Sequence, residues 1–307
     1  MISVLLCSYN GEKYIEKQLE SIIEQTVLPD EVIIQDDCST DRTVSICETF
    51  VKEHNLNWTI IKNTENIGYR LNFITGLKKT SGDIIFLCDQ DDIWKNRKLE
   101  IMSGVMKNDD IESLASTYDL IDEKDVVVKE HIKHPYLNTN GIRKIETKEF
   151  YDFPQYLGMT MAIRRDVIDA IDLEYADIIT HDLFLNYYAV RMDGLYFLDK
   201  SLTKRRSDGT NTSQMMREKQ LKEQYENDRL RIVSNNLINL KLFKQLDEKH
   251  YLKYDDNLEK EIKTQEIRVK YLKSGRKTQL LKSAFIVCKN SGLKKILKDL
   301  IVMIKGE

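Results

Sequence analysis

No stretch of this 307-residue chain is apolar for the roughly 20 residues needed to span a bilayer. A helix crossing a membrane is therefore not expected, and any contact with lipid would be made from the surface. Cysteine is scarce and shows no pairing pattern. Cys7, Cys38, Cys47, Cys88 and Cys288 are odd in number, and no close pair has metal-ligand spacing. A reduced, cytoplasmic setting is expected. The N-terminus also lacks the basic region and long apolar core of a secretory signal, opening instead on the strand-like run Ile2-Ser3-Val4-Leu5-Leu6-Cys7. A net charge of −3 gives no global attraction to nucleic acid, and none is expected as a partner. Internal repeats and low-complexity tracts are missing as well.

What is present is a globular composition, 41% hydrophobic and 32% charged. The length suits one large domain, or one domain with an appendage. Short apolar runs at Ile2–Cys7, Glu31–Gln35, Trp58–Ile61 and Asp83–Cys88 alternate with helix-period segments near Glu12–Gln25, Asp41–Glu53 and Tyr69–Lys79. Strand, helix, strand, helix predicts a parallel sheet covered by helices on both faces. A helix to about Lys107 follows, then β-like pieces at Ser113–Asp122 and Val126–Lys129 and a weakly patterned stretch over 129–147. A strand near Thr160–Ile163, helices from Arg165 and over His181–Val190, and a strand at Leu195–Leu198 complete a unit ending near Gln214. Residues 215–271 contain no proline and read as helical, with Leu221, Tyr225, Ile232, Val233, Leu237, Leu240 and Phe243 as a partial apolar stripe. A helical hairpin packing on the preceding unit, or on a second copy in a homo-oligomer, is expected there.

Chemistry concentrates at Phe86-Leu87-Cys88-Asp89-Gln90-Asp91-Asp92, three carboxylates directly after a buried strand. In open parallel sheets ligands bind beyond the carboxyl ends of strands. Crowded acids there are costly unless a cation offsets them, and a hard divalent ion, Mn2+ or Mg2+, suits carboxylate oxygens and can bridge phosphates. The same residues would also serve as a solvated acidic turn with a helix-capping Asp. Asp36-Asp37-Cys38-Ser39-Thr40-Asp41 is a second acidic turn at a strand end, and Cys7-Ser8-Tyr9-Asn10-Gly11 is a third polar loop. One acid of the second turn suits the N–H of a uracil or thymine ring; the others suit helix caps.

These motifs, with Asn66-Ile67-Gly68, occur in an order and at spacings that resemble family 2 of the inverting glycosyltransferases. The resemblance implies the GT-A fold, a Rossmann-like, mostly parallel central sheet with helices on both faces, here carrying a C-terminal helical extension. It covers roughly residues 1–214, with a nucleotide-sugar half over 1–98 and an acceptor half over 99–214. It further implies that Tyr9 and Asp36 contact the nucleobase, that Asp89 faces the ribose and donor sugar, and that Asp91 and Asp92 hold the metal. Asn66, Gly68 and Arg70 would line the donor pocket. In the acceptor half, Gly158-Met159-Thr160 resembles the acceptor-side loop, and Thr180-His181-Asp182 the acidic motif that carries the base. Asp182 is thus the candidate catalytic base, a first-turn helix Asp being the competing reading, and His181 either an acceptor contact or a surface histidine. Arg205-Arg206-Ser207-Asp208-Gly209-Thr210-Asn211 resembles a closing stretch in which Arg206 assists the diphosphate, although Asp208 stands where relatives commonly have His. Gln90 and Trp94 resemble bacterial rhamnosyltransferase-like members, which implies dTDP-rhamnose as donor beside a UDP-hexose, and a glycan or lipid-linked glycan as acceptor in cell-surface polysaccharide synthesis.

The last segment, 273–307, carries nine Lys/Arg against two acids, so +7 of charge sits there and −10 on the rest. Apolar residues Leu280, Leu281, Ala284, Phe285, Ile286, Val287, Leu293, Ile296, Leu297, Leu300, Ile301 and Ile304 intervene. This pattern suits a helix lying in an anionic membrane surface, peripheral on the inner face of the cell membrane, and equally an amphipathic helix packed on the protein. Two other classes stay open at this level. A sugar nucleotidyltransferase would share the sheet and metal, but Ser8-Tyr9-Asn10-Gly11 is poor in the glycines a triphosphate loop needs. An inactive scaffold would act through the helical segment, and the intact acids at Asp89 and Asp91 speak against it.

Overall fold

Ile2–Ser8 (β1) is apolar at nearly every position because both of its neighbours are strands and both of its faces are covered. In the computed structural model, which describes residues 1–128, 141–207, 225–250, 255–275, 284–290, 296–297 and 299–300, β1 pairs in parallel with Glu31–Asp36 (β2) and Ile84–Asp89 (β4). Thr59–Lys62 (β3) adds in parallel to β2 at the edge. Leu5 stands opposite Ile33 and Leu87, so the three central strands end level, at Ser8, Asp36 and Asp89. Helices Ile15–Ile23 (α1), Thr43–Glu53 (α2) and Tyr69–Leu77 (α3) are the connections. The core beneath them includes Val4, Leu6, Ile15, Leu19, Ile34 and Phe86.

The second half of this unit departs from the parallel pattern. Met161–Arg164 (β8) pairs antiparallel with β4 and with Ser113–Ile121 (β6), and β6 pairs in parallel with Leu195–Arg206 (β9). Two short strands, Ile93–Trp94 (β5) and Ile142–Lys144 (β7), lie antiparallel to β9. The strand expected to stop at Leu198 thus continues to Arg206. A register shift between Ser116 and Tyr118 of β6 breaks the alternation of β9, so Leu202 and Thr203 are both buried and the period-2 signal is lost. The expected strand at Val126–Lys129 reduces to one bridge, Ile121 to Val127, among the described residues. Helices Lys98–Val105 (α4), Arg165–Ala170 (α6) and His181–Arg191 (α7) complete the unit, which comprises Met1–Glu146 and Pro154–Asp208.

The second unit comprises Thr147–Phe153 and Gly209–Glu307. Its helices are Thr147–Asp152 (α5), Tyr225–Lys249 (α8) and Asp256–Ser274 (α9). On α8 the buried side is Val233, Leu240, Phe243 and Leu246, while Ile232 is 47% exposed and so falls off the expected stripe. Leu221 and the side chain of Tyr225 lie outside the described residues, as do Leu280, Leu281, Leu293, Ile301 and Ile304. Phe150 of α5 packs on Phe243, ring centroids 6.2 Å apart, and the Tyr151 hydroxyl donates to Asp255 at 2.9 Å. Within the basic segment Val287 and Ile296 are buried against Tyr271, whereas Phe285 is 77% exposed. No helix among the described residues is long and apolar enough to cross a membrane.

One carboxylate organises this unit. Asp299 is fully buried and accepts two hydrogen bonds from Arg268 at 2.8 Å, one from Arg229 at 2.6 Å and one from the Tyr271 hydroxyl. The paired Arg268 bonds are the bidentate arrangement that makes such contacts strong. Removing one member of a buried ion pair leaves uncompensated charge and costs about 3–5 kcal/mol. Asp299→Ala should lower the stability of the helical unit by that order, read as a shifted urea midpoint; a loss below about 1 kcal/mol would place the pair among solvent-screened bridges.

Candidate active site

Beyond the ends of β1, β2 and β4, three loops are fastened to one another before any ligand is considered. The Gln90 side chain exchanges two bonds with the Tyr9 backbone: the Tyr9 N–H donates to Oε1 at 2.8 Å, and Nε2 donates to the Tyr9 carbonyl at 2.9 Å. Gly11 makes room for it, since a Cβ there would lie 2.2 Å from Gln90 Oε1. The Asn10 carboxamide oxygen accepts from the Thr40 N–H at 2.9 Å. Tyr9 itself keeps its ring at the rim, 46% exposed.

The second acidic turn is spent on this fastening. Asp36 is 1% exposed and accepts from Ser8 Oγ at 2.9 Å, Ser39 N–H at 2.8 Å and Ser39 Oγ at 2.5 Å. Its carboxylate joins β1 to the turn after β2 and so fixes the loop on which a nucleobase contact by Asp36 is expected. Asp37, which sequence reasoning passed over, accepts from Asn63 Nδ2 at 2.9 Å, Ile67 N–H at 2.9 Å and Gly68 N–H at 2.8 Å. It thereby shapes the Asn66–Gly68 loop. Gly68 has φ +82° and ψ 151°, a conformation that glycine alone adopts without strain. Asn66 is exposed and accepts from the Gly68 N–H at 3.1 Å. Arg70 reaches the Asp177 carbonyl at 2.8 Å, beside the start of α7.

The third turn is different. Asp89, Asp91 and Asp92 bring carboxylate oxygens within 4.8 Å of one another. Asp92 is 2% exposed; its Oδ1 accepts from the Arg206 N–H at 3.0 Å, and its Oδ2 is buried with no hydrogen bond from any described residue. Burial, and next the charge of Asp91, push Asp89 up to about 7. Burial, followed by the charges of Asp91 and Asp89, raises Asp92 as well. Such a cluster is short of positive charge, and its chemistry is that of a hard divalent cation site.

Two neighbouring arginines of β9 act on this turn. Arg206 is 1% exposed and points inward. Its Nε donates to the Asp91 carbonyl at 2.9 Å, its Nη1 meets Asp122 O at 2.9 Å and Asp125 Oδ1 at 2.6 Å, and its guanidinium lies 4.2 Å from the Tyr14 ring centre. Its side chain therefore holds the backbone of the acidic turn on which its expected help to the diphosphate would be given. Arg205 is half-buried, and its charge lowers both Asp89 and Asp92. Asp208 and Asn211 of the closing stretch lie outside the described residues.

On the acceptor side, Asp182 begins α7, half-buried, with its Oδ1 accepting from the Leu183 N–H at 2.7 Å. Burial, the charge of Asp91 and, to a lesser degree, the negative charge of Asp182 raise Asp89. His181 is 7% exposed rather than a surface residue: it stacks on Phe73 with centroids 4.0 Å apart, and neither ring nitrogen has a hydrogen-bond partner among the described residues. Burial lowers its pKa. A Cβ on Gly158 would lie 2.6 Å from His181 Nε2, so the glycine lets the turn and the helix meet. Met159 and Thr160 are buried at 2% and 1%, and the Thr160 hydroxyl donates to Leu157 O at 2.7 Å. Their side chains build the turn expected on the acceptor side.

Lys98 was missed. It is fully buried at the start of α4, donating to Met159 O at 2.5 Å and Thr203 Oγ1 at 3.0 Å, with Nζ 4.1 Å from the Trp94 ring centre. Burial pushes it down to about 7. The available signal was a lysine beside Leu99 and one turn before Met102, on the apolar side of an amphipathic segment.

Comparison with known proteins agrees with this geometry. Residues 3–172 match the glycosyl transferase family 2 model. An uncharacterized glycosyltransferase of Haemophilus influenzae is 36% identical over 126 residues, covering 41% of this chain and 39% of that protein. The dTDP-rhamnosyl transferase RfbG of Shigella flexneri is 39% identical over 101 residues, covering 31% of this chain and 34% of the relative. These matches thus span little more than a third of either relative. The structure of S. aureus TarS 1-349 in complex with UDP-GlcNAc superposes with a TM-score of 0.60 at 17% identity, covering 97% of this chain and 81% of that one, which establishes the shared GT-A architecture. With the family model matching more than half of its length and the acids at the carboxyl end of β4, the chain belongs to glycosyl transferase family 2.

Proposed function

We propose that this chain transfers a sugar from a nucleoside diphosphate donor to a saccharide or lipid-linked saccharide acceptor, with inversion at the anomeric carbon. The observation that carries this reading is the cluster of Asp89, Asp91 and Asp92 at the carboxyl end of β4, in a chain of glycosyl transferase family 2. Tyr9 offers the exposed ring for the base, and Asn66 and Gly68 border the donor. Asp91 and Asp92 would hold the divalent ion, Mn2+ or Mg2+, with Asp89 toward ribose and sugar. The bound ion supplies Lewis-acid stabilisation of the departing diphosphate. Arg205, whose charge lowers Asp89, would add a positive charge where negative charge develops. The bond from the anomeric carbon to the diphosphate breaks, the acceptor oxygen bonds to that carbon from the opposite face, and Asp182 takes the acceptor proton.

Likeness to the dTDP-rhamnosyl transferase RfbG supports dTDP-rhamnose as donor. Likeness to WfgD of Escherichia coli, named as a UDP-Glc-dependent β-1,3-glucosyltransferase acting on a diphosphoundecaprenol-linked sugar, supports a UDP-hexose and a lipid-linked acceptor. A putative teichuronic acid biosynthesis glycosyltransferase, TuaG of Bacillus subtilis, is 35% identical over 101 residues, which supports a place in cell-surface polysaccharide synthesis. A lipid-linked acceptor lies at a membrane, and Phe285, Ile286 and Leu297, exposed beside the lysines of the basic segment, are suited to an anionic surface.

A donor screen with Mn2+ should release nucleoside diphosphate for one donor class; release of pyrophosphate instead would indicate nucleotidyl transfer. Asp182→Asn should cut turnover by about 10²–10⁴-fold, the usual worth of a general base, with donor affinity nearly intact. Full activity in that variant would reject Asp182 as base. A second expectation concerns pH. Asp89 and Asp92 have raised pKa values in the folded state, so the stability they confer is present near pH 4 and lost as pH rises toward 7. Metal-free protein should lose more thermal stability between pH 5 and 7 than an Asp92→Asn variant, and Mn2+ should stabilise wild type more at pH 7 than at pH 5; parallel curves would argue against a cation site. Thirdly, wild type should float with vesicles containing anionic lipid and Phe285→Asp should not. Equal flotation would remove Phe285 from the membrane contact.

A further inference from the structure

Lysines from three separate segments of the helical unit line one cavity of about 210 Å³: Lys148 of α5, Lys260 of α9 and Lys289 of the helical segment 284–290. Asn257, Asn290, Tyr151 and Glu261 complete its wall. Side-chain hydrogen bonds hold the three segments together. The Tyr151 hydroxyl donates to Asp255 at 2.9 Å and Asn257 Nδ2 to Thr147 Oγ1 at 3.4 Å, tying α5 to α9. Asn290 Nδ2 donates to Thr264 Oγ1 at 3.0 Å, tying 284–290 to α9. The recess is thus built into the fold of this unit. It is smaller than the roughly 300–1,000 Å³ of pockets that enclose a whole drug-sized molecule, so it suits a single small group.

The chemistry of the wall is that of a phosphate receptor. Three ammonium groups stand against one lining carboxylate, Glu261, which is 5% exposed and accepts from Gln265 Nε2 at 2.5 Å. The acids beside the cavity are engaged: Asp255 by Tyr151 and by the Asn257 N–H at 2.8 Å, and Asp256 by Lys260 at 3.9 Å. Lys148 and Lys289 are exposed and make no ion pair or hydrogen bond with any described residue. Lysine binds phosphate as a point charge, and each carboxamide has a second N–H suited to a phosphate oxygen. The border of the recess is apolar. Phe285 and Ile286 stand four residues before Lys289 and Asn290, on the same helix face in each case, and are 77% and 45% exposed. A free phosphate ion would have no use for these two side chains. A phosphate carried on a hydrocarbon chain would use both parts.

We propose that this cavity binds the phosphate group of a membrane lipid, with Lys148, Lys260 and Lys289 around the phosphate and Phe285 and Ile286 against the first carbons of the chain. It deepens the reading of an acceptor carried on a lipid, and its role in transfer rests on that reading; the binding itself needs neither metal nor donor. Phe285 alone offers only apolar contact to any bilayer, whereas the recess selects membranes by headgroup.

The probe is phosphatidic acid, whose terminal phosphate is accessible, in phosphatidylcholine vesicles, compared with phosphatidylglycerol vesicles of equal surface potential. The metal-free full chain should bind the phosphatidic acid vesicles more tightly, on the order of tenfold. Lys148→Gln combined with Lys289→Gln should abolish that preference. Lys263→Gln combined with Lys270→Gln removes the same charge from exposed positions of α9 outside the cavity and should keep it. Equal binding of the two lipids by wild type, or equal loss in both double variants, overturns the proposal in favour of diffuse charge attraction. Calorimetric titration with inorganic phosphate separates the sources: saturable phosphate binding without any vesicle preference overturns the lipid assignment. All four lysines are exposed, so both double variants should keep the wild-type urea midpoint. None of these measurements involves transfer. A wild type that discriminates the lipids but releases no nucleoside diphosphate from any donor would end the transferase reading and leave the headgroup site standing; the reverse result would do the opposite.

Discussion

Three carboxylates with oxygens inside 4.8 Å repel one another, and much of the surrounding structure answers that repulsion. Arg206 holds the turn at the Asp91 carbonyl and gives its N–H to Asp92, and the charge of the adjacent Arg205 favours the ionised acids. Both come from β9, so the acidic turn depends on that strand as much as on the one it ends. Like charges held this close are favourable only with a cation to share, which is why the arrangement reads as a site rather than as a turn. The raised Asp89 and Asp92 record the same imbalance from the side of the proton.

Much of this was legible in the sequence. The apolar runs of β1, β2 and β4 and the acids immediately after them specify both the parallel sheet and the place where its strands end level. Other features were not. The far half of β9 is polar in composition and its alternation is broken by a register shift, so Lys200 to Arg206 reads as loop while forming a strand. Without that strand the burial of Arg206, whose side chain holds the Asp91 carbonyl, could not be read from the sequence. Lys98 was hidden for the opposite reason, a charged residue at an apolar position, where composition suggests solvent.

Acidic residues at strand ends also proved to have two uses that a motif cannot distinguish. Asp36 and Asp37 are as acidic and as well placed as Asp89 and Asp91, yet their oxygens are filled by serine hydroxyls, an asparagine side chain and backbone N–H groups. Several of those donors come from residues more than twenty positions away in the chain. Gln90 belongs to the same class of fastener: its amide completes the backbone pairing of Tyr9.

The path of α5 has a consequence for how such a chain can be divided. Thr147–Phe153 leaves the sheet-bearing unit and joins the helical one, after which the chain returns at Pro154. Phe150 and Tyr151 are buried there at 0% and 5%. A fragment ending near Asp208 would therefore keep α5 and discard what covers it, leaving two aromatic rings uncovered. The helical unit is not a detachable appendage. It is stitched in twice, so recombination between related genes would have to exchange both segments together to yield a well-behaved product.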